Sequence, residues 1–302
     1  TEMAEDLMRN IQWFPGHMKK AMRDMEEKRA LCDGVICVLD SRAPIATYNP
    51  KLPEIFAGKP VLYVLNKSDL SDGKSEKFAA MIEAQGKPCV VISAVNGASR
   101  RVLEKRLQIL TKEKRERAES KGVTRRFRYT VVGIPNTGKS TVVNLLGGAK
   151  RAKTGDIAGV TRDVRWIKCA DFDLLDTPGT MPPSCKTQYL ARHLAYIGSL
   201  NDDILDIADV ALELLKELKA NYPAALQERY GIDCGGNNAE TDKTADEEEH
   251  TREAVEMLET ACRRRGFILR GGEFDYERGA RAVIDDFRKG RLGKICLENP
   301  SD

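Results

Sequence analysis

Gly133-Ile134-Pro135-Asn136-Thr137-Gly138-Lys139-Ser140 is the stretch that decides how this chain folds. It fits G-x-x-x-x-G-K-[ST], follows an apolar run (Tyr129–Val132) and opens a helical pattern (Lys139–Leu146). Strand, glycine-rich turn and helix form the context in which this pattern cradles phosphates. Glycines let backbone N–H groups curl around an anion, and the helix N-terminus adds partial positive charge. In that reading Lys139 reaches the β- and γ-phosphates of a nucleotide and the Ser140 hydroxyl ligates Mg²⁺. Asn136, Thr137, Gly138 and Thr141 complete the expected phosphate-binding set. The plainer alternative is a glycine-rich turn ahead of a helix, with no ligand.

Three further patterns lie at the ends of apolar runs. Asp176-Thr177-Pro178-Gly179 closes Phe172–Leu175, 36 residues after Ser140. An aspartate there would hold Mg²⁺, and the Gly179 N–H would donate to the γ-phosphate; alone, D-x-x-G also describes ordinary turns. Thr161, in Gly159-Val160-Thr161-Arg162, sits between the two phosphate patterns, where a switch threonine would complete the metal shell. Asn66-Lys67-Ser68-Asp69 follows Val61–Leu65. Asp69 can accept from guanine N1–H and its exocyclic amine, which adenine cannot match, so the wrong base leaves it unpaired. Lys67 would lie over the ring while Asn66 braces the phosphate loop. Ser93-Ala94-Val95, after Cys89–Ile92, would offer backbone N–H to the guanine O6. Each pattern alone describes a charged or polar turn; together they describe a guanine-nucleotide site.

Around these motifs, the first 180 residues alternate short apolar runs with helical patterns, as in an α/β sheet. The expected strands are 35–39, 61–65, 89–92, 129–132, 164–169 and 172–175, and the expected helices 17–31, 74–84, 98–121 and 139–146. Beyond residue 188 the strand signal stops. Amphipathic periodicity over 201–219, 250–265 and 276–289 predicts a smaller all-α domain. The expected division is a nucleotide-binding domain over 1–185 and a helical one over 186–302. Residues 233–249, Gly/Asn-rich and then acidic, read as a solvated loop.

In 302 residues, 41% apolar and 31% charged, there is enough for a real core and no apolar run long enough to span a membrane. The start is acidic and carries no leader pattern, and the eight cysteines form no C-x-x-C pair, so reduced thiols in a cytoplasm are expected. The net charge of +3 hides an asymmetry. Residues 1–180 carry 32 Lys+Arg against 22 Asp+Glu, and the remainder 17 against 24. A net of +10 over the first part favours an anionic partner. Basic stretches over 112–128, at Lys150, Arg151 and Lys153, and at Arg263–Arg265 are candidate RNA contacts; each alone reads equally as a solvated face.

The motif order is unusual. These motifs resemble those of the small GTPase domain, whose order runs phosphate loop, switch threonine, D-x-x-G, N-K-x-D, S-A. Here the guanine patterns at 66 and 93 precede the phosphate patterns at 133, 161 and 176, so the chain reads as a circular permutation with its break after D-x-x-G. The expected fold is a mostly parallel six-stranded sheet with helices on both faces. Undoing the permutation puts Trp13-Phe14-Pro15-Gly16-His17 beside the second switch. Thr180 stands where many GTPases keep a water-orienting Gln and is too short for that task, which makes His17 the candidate to orient the attacking water. The structural alternative for this stretch is a hydrophobic staple at a helix start. Asn136 is a candidate to place a monovalent cation such as K⁺, or simply tolerates a tight turn.

The Trp13–Met18 stretch, Asp40-Ser41-Arg42-Ala43-Pro44, Asn66–Asp69, Gly133–Ser140, Asp176–Gly179 and Arg270-Gly271-Gly272 together resemble the ribosome biogenesis GTPase A (RbgA/YlqF) family over nearly the whole chain. The resemblance implies GTP hydrolysis late in assembly of the large (50S) ribosomal subunit and a helical domain gripping the particle. It also implies stimulation by the ribosome, use of K⁺, and a catalytic role for the histidine matching His17. A monomer with no membrane partner is expected. The chain departs from the family pattern at Ala158, often Pro, and at Thr180-Met181, where a bulky apolar residue usually follows D-x-x-G. Two other classes fit the motifs: a nucleotide-gated RNA-binding module with incidental hydrolysis, and a signalling switch acting on proteins.

Overall fold

The computed structural model describes residues 16–148, 164–182, 187–234 and 247–301, without the side chains of Gly16, His17 and Glu247. Two compact units emerge. The first holds most residues up to 194, together with 198–200 and the segment from Cys296; the second holds Ala195–Ile197 and Asn201–Ile295. This differs from a single cut at 185/186, because residues 187–194 and 296–301 belong with the sheet.

The sheet unit is built from β1 (Gly34–Asp40), β2 (Val61–Asn66), β3 (Cys89–Val91), β4 (Phe127–Val132), β5 (Arg165–Lys168) and β6 (Phe172–Asp176). The order across the sheet is β3-β2-β1-β4-β6-β5; β5 alone runs antiparallel, against β6. The permuted topology expected from the motif order is therefore present. Every residue of β1 is buried, because helices cover both faces of the sheet. Ile36 and Val38 pack toward one face with Val142, Val143 and Leu146 of α6 and Leu103 and Leu107 of α4. Val35, Cys37 and Leu39 pack toward the other with Ala21 and Met25 of α1, Leu52 of α2 and Phe78 of α3. In chain order these helices are α1 (Gly16–Lys28), α2 (Lys51–Ile55), α3 (Lys74–Ala84), α4 (Ser99–Leu110), α5 (Lys112–Ser120) and α6 (Lys139–Gly147), followed by α7 (Gln188–Tyr196), which runs past the end of this unit.

The helix expected over 98–121 is two helices. Thr111 turns its hydroxyl back to Leu107 O (3.0 Å) and toward Tyr129 OH (2.9 Å), and its backbone leaves the helical region between α4 and α5. Such back-bonding competes with the helix ladder and bends it. Burial pushes the Cys37 and Cys89 thiols up to about 12, so they act as small apolar residues. None of the seven described cysteines forms a disulfide.

The second unit packs α8 (Ile207–Asn221), α9 (Pro223–Tyr230), α10 (Glu247–Arg265) and α11 (Tyr276–Arg288). Side-chain caps start two of them: Asp206 accepts from Ala208 N and Asp209 N, and Asp275 from Arg278 N. Buried Asp286 binds Arg229 through two bonds of 2.9 and 3.0 Å, Tyr230 OH (3.0 Å) and Arg291 (3.0 Å). Burial alone would raise its carboxyl; these donors reverse that and hold it below the usual range. Within the stretch expected to be loop, residues 247–249 begin α10, while 235–246 lie outside the described residues. Among the described residues, no helix is long and apolar enough to cross a membrane.

Gly279 of α11 meets Cys262 of α10, and a Cβ there would collide with Cys262 Sγ. Helix propensity favours alanine over glycine by about 1 kcal/mol, but overpacking costs roughly 1–3 kcal/mol. Gly279→Ala is expected to destabilise the helical unit in a denaturant melt, and to become neutral or stabilising in a Cys262→Ala background. Equal effects in both backgrounds would refute the clash.

Candidate functional site

In a parallel sheet the strand C-termini and their following loops gather at one edge, the usual seat of a ligand in open α/β folds. The phosphate-loop pattern follows β4, Asp176 ends β6, Asn66 ends β2 and Ser93-Ala94 follows β3. Asn66 ties three of these segments together. Its Nδ2 donates to Thr137 O (3.0 Å) and its Oδ1 accepts from Ala94 N (3.0 Å). Gly138 has φ 89° and packs so tightly on Asn66 that a Cβ would strike Nδ2. Only glycine fits that position.

Lys67, itself left-handed at φ 63°, sends its ammonium to Asn136 O (2.5 Å) and Asp40 Oδ2 (2.9 Å). In these contacts it braces the loop alongside Asn66. Asp40 was not singled out for chemistry by the sequence, yet it organises this edge. It is fully buried and takes a fork from Arg42, Nε to Oδ1 at 3.0 Å and NH2 to Oδ2 at 2.9 Å. Burial would raise its carboxyl, but Arg42 and Lys67 overcome this and hold it below the ordinary range. The register that sets Asp40 beside Asn66 is the signal that points to it.

Asp69 lies on the exposed turn Ser68–Leu70, with no hydrogen-bond or ion-pair partner among the described residues. Ser68 N is held by Ile92 O (3.1 Å). Of the Ser93-Ala94-Val95 stretch, the Ala94 amide donates to Asn66 Oδ1 and Val95 is exposed, at 77%. Ser93 is a structural link: its carbonyl accepts from Ser99 Oγ (2.8 Å).

At the phosphate end, Lys139 is 7% exposed and its ammonium is folded onto Ile134 O (2.6 Å). Burial lowers its pKa to about 8, with Asp176 opposing the shift. Asp176 is fully buried; its Oδ1 has no partner, and Oδ2 is 3.5 Å from Arg165. Burial raises its carboxyl, against the pull of Arg165 and Lys139. Gly179 presses on the phosphate loop, where a Cβ would lie 2.7 Å from Pro135 Cα and N. Thr180 is buried and turned inward, Oγ1 to Pro178 O (3.2 Å), with its N bound to Gly133 O (3.2 Å) and its O held by Asn49 (2.9 Å). It does not present a side chain to water. Ser140 and Thr141 open α6, both half-buried. His17 is the second residue of α1, whose Ala21 and Met25 share a core with Leu175, the residue before Asp176. The His17 side chain and all of Thr161 lie outside the described residues.

The fully buried, unpartnered Asp176 Oδ1 fits a hard cation, and Ser140 opens the helix beside Lys139. One carboxylate, one hydroxyl, phosphates and waters are the usual set for Mg²⁺. No cluster of three His, Cys, Asp or Glu suited to a metal occurs among the described residues.

Comparison with known proteins agrees with this geometry. The family described as 50S ribosome-binding GTPase matches residues 128–234. A Bacillus cereus protein named ribosome biogenesis GTPase A is 37% identical over 97% of this chain and 95% of its own length. Its Thermotoga maritima namesake is 29% identical over 97% and 95%. The solved T. maritima YlqF bound to GNP superposes with a TM-score of 0.62 at 26% identity, covering 94% of this chain and 99% of that one. Its GDP-bound form gives 0.61 at 25%, covering 93% and 100%. A likeness that runs at 37% identity through sheet and helices alike is far more than a shared phosphate loop, and it establishes that this chain belongs to the ribosome biogenesis GTPase A family.

Proposed function

We propose that this GTPase serves a late step in assembling the large (50S) ribosomal subunit, binding the precursor particle in its GTP state and leaving on hydrolysis. The observation that carries the reading is the Asn66 amide, which joins the guanine-reading loops to the phosphate loop and so makes them one site. Asp69, with Ser68 and Val95 beside it, reads the base. Asn136, Thr137, Gly138, Lys139, Thr141 and Gly179 hold the phosphates. Ser140, Asp176 and Thr161 would hold Mg²⁺, which would neutralise phosphate charge when bound. Asn136 contributes to a K⁺ site at the same phosphates. Thr180 is turned away from water, which leaves His17 to orient the attacking water.

The helical unit supplies a basic strip from Arg263 to Lys294, ten Lys+Arg against five Asp+Glu, suited to ribosomal RNA. The protein works as a cytoplasmic monomer. Cosedimentation with large-subunit particles tests the whole reading. The chain is expected in the particle fraction with a non-hydrolysable GTP analogue and in the supernatant with GDP; equal partition would sink it.

Two predictions concern the chemistry. His17→Ala is expected to lower particle-stimulated turnover by roughly 10²-fold or more, the scale of a lost positioned proton-transfer group, with GTP affinity within twofold of the parent. Unchanged turnover removes His17 from the mechanism. The Lys139 pKa of about 8 makes phosphate binding pH-dependent. A bound phosphate raises that pKa, so binding favours the protonated lysine and affinity falls as pH rises through the free-protein value. Between pH 7 and 8.5, GDP affinity at constant salt is expected to fall about fourfold, from simple proton linkage. A flat profile in calorimetric titrations would contradict this.

A further inference from the structure

The end of the sheet opposite the nucleotide edge carries a second feature. There Leu31, Asp33, Arg125, Arg126, Arg128 and Asp173 line an open hollow of about 390 Å³. Asp33 precedes β1, Arg125 and Arg126 precede β4, and Asp173 lies near the start of β6. The nucleotide motifs all follow strand ends, so this hollow is separate from them.

The arginines are fixed in place. Arg126 donates to Cys169 O (2.7 Å), Ala170 O (2.9 Å), Phe172 O (2.9 Å) and Asp173 (3.1 Å), and Arg125 pairs with Asp33. Arg115 and Arg125 both stack on Phe127, at 4.2 and 4.7 Å from its centroid, and Arg128 lies 5.4 Å from the centre of Trp166. Arg128 comes only within 4.0 Å of Asp173, so its guanidinium edge stays open to a further acceptor. Trp166 stands outside the hollow on the antiparallel edge strand β5, paired with Leu175, meets Arg128 through its ring, and is 37% exposed.

Cations outnumber anions here. Lys114 is held against Asp33 O (2.8 Å). Burial lowers its pKa, Asp33 pulls it back up, and Lys59 and Arg125 add smaller lowering effects. Guanidinium planes pre-set on aromatic rings lose little freedom on meeting a phosphate. An exposed indole beside them is a platform for an unpaired base.

We propose that this end of the sheet and the adjoining edge strand β5 form an RNA-binding face, Arg128 taking a phosphate of a single strand and Trp166 stacking a base. It extends the particle-binding reading to a second surface, and its test keeps the two apart. The full chain, loaded with GDP, is titrated against a fluorescent 12-nucleotide single-stranded RNA and a duplex of equal length. Arg128→Glu is expected to weaken single-strand binding about tenfold and to reduce the log–log salt slope by about 0.7 for each phosphate that is no longer neutralised. Trp166→Ala is expected to weaken the single strand about tenfold while leaving the duplex within twofold. GDP affinity and the thermal midpoint serve as fold controls. A benzophenone amino acid in place of Trp166 is expected to crosslink to RNA.

Single-strand affinity within twofold of the parent for both variants overturns the proposal, as does crosslinking to a protein of the particle in place of RNA. If parent and variants cosediment with the particle alike, the face is dispensable and the assembly reading stands. If the parent ignores the particle while the variants still lose the oligonucleotide, the assembly reading fails and the RNA face stands.

Discussion

One fully buried carboxylate holds the nucleotide edge together. Removing Asp40 from water is costly unless its charge is matched, and here an arginine fork and a lysine match it. The lysine is Lys67, whose ammonium also grips the phosphate loop at Asn136 O. The N-K-x-D turn and the phosphate-loop pattern are thereby fastened to the same buried anion. Asn66, one residue earlier, makes the second fastening through Thr137 O. Two adjacent residues at the end of β2 thus couple base recognition to phosphate-loop geometry.

This coupling explains why the permuted order does no harm. A ligand site at the C-terminal edge of a parallel sheet depends on which strands are neighbours, not on which comes first in the chain. The β1–β4 pairing joins the first three strands to the last three, placing the guanine loops beside the phosphate loop despite 71 residues between Asn66 and Thr137. The join runs through α4 and α5, and the bend at Thr111 lets it follow the sheet.

Much of this was legible in the sequence because the signals are local. Central strands buried on both faces read as unbroken apolar runs, so the expected Val35–Leu39 lies within the observed Gly34–Asp40. The phosphate loop and N-K-x-D carry their chemistry in fixed spacing. What was missed depends on distant partners. The break at Thr111 needs Tyr129, 18 residues on. The Ala94 amide finds its acceptor in Asn66, 28 residues earlier, and Asp40 owes its role to the parallel register with β2. Short α2, with Pro53 inside it, offers no periodicity to read. Nothing local marks residues 296–298 as part of the sheet unit.

Those residues have a consequence for how the molecule is made. Glu298 is fully buried, accepts from Ile45 N (2.5 Å) and Ala46 N (3.0 Å), and meets His193 Nδ1 (3.1 Å). Leu297 N donates to Arg42 O (2.8 Å), behind the very residue that neutralises Asp40. In chain order, α8 to α11 of the second unit therefore all precede the segment that latches the first. The loop carrying Arg42 is thus clasped by residues more than 250 positions later, so the nucleotide edge leans on a segment that is synthesised after the helical unit.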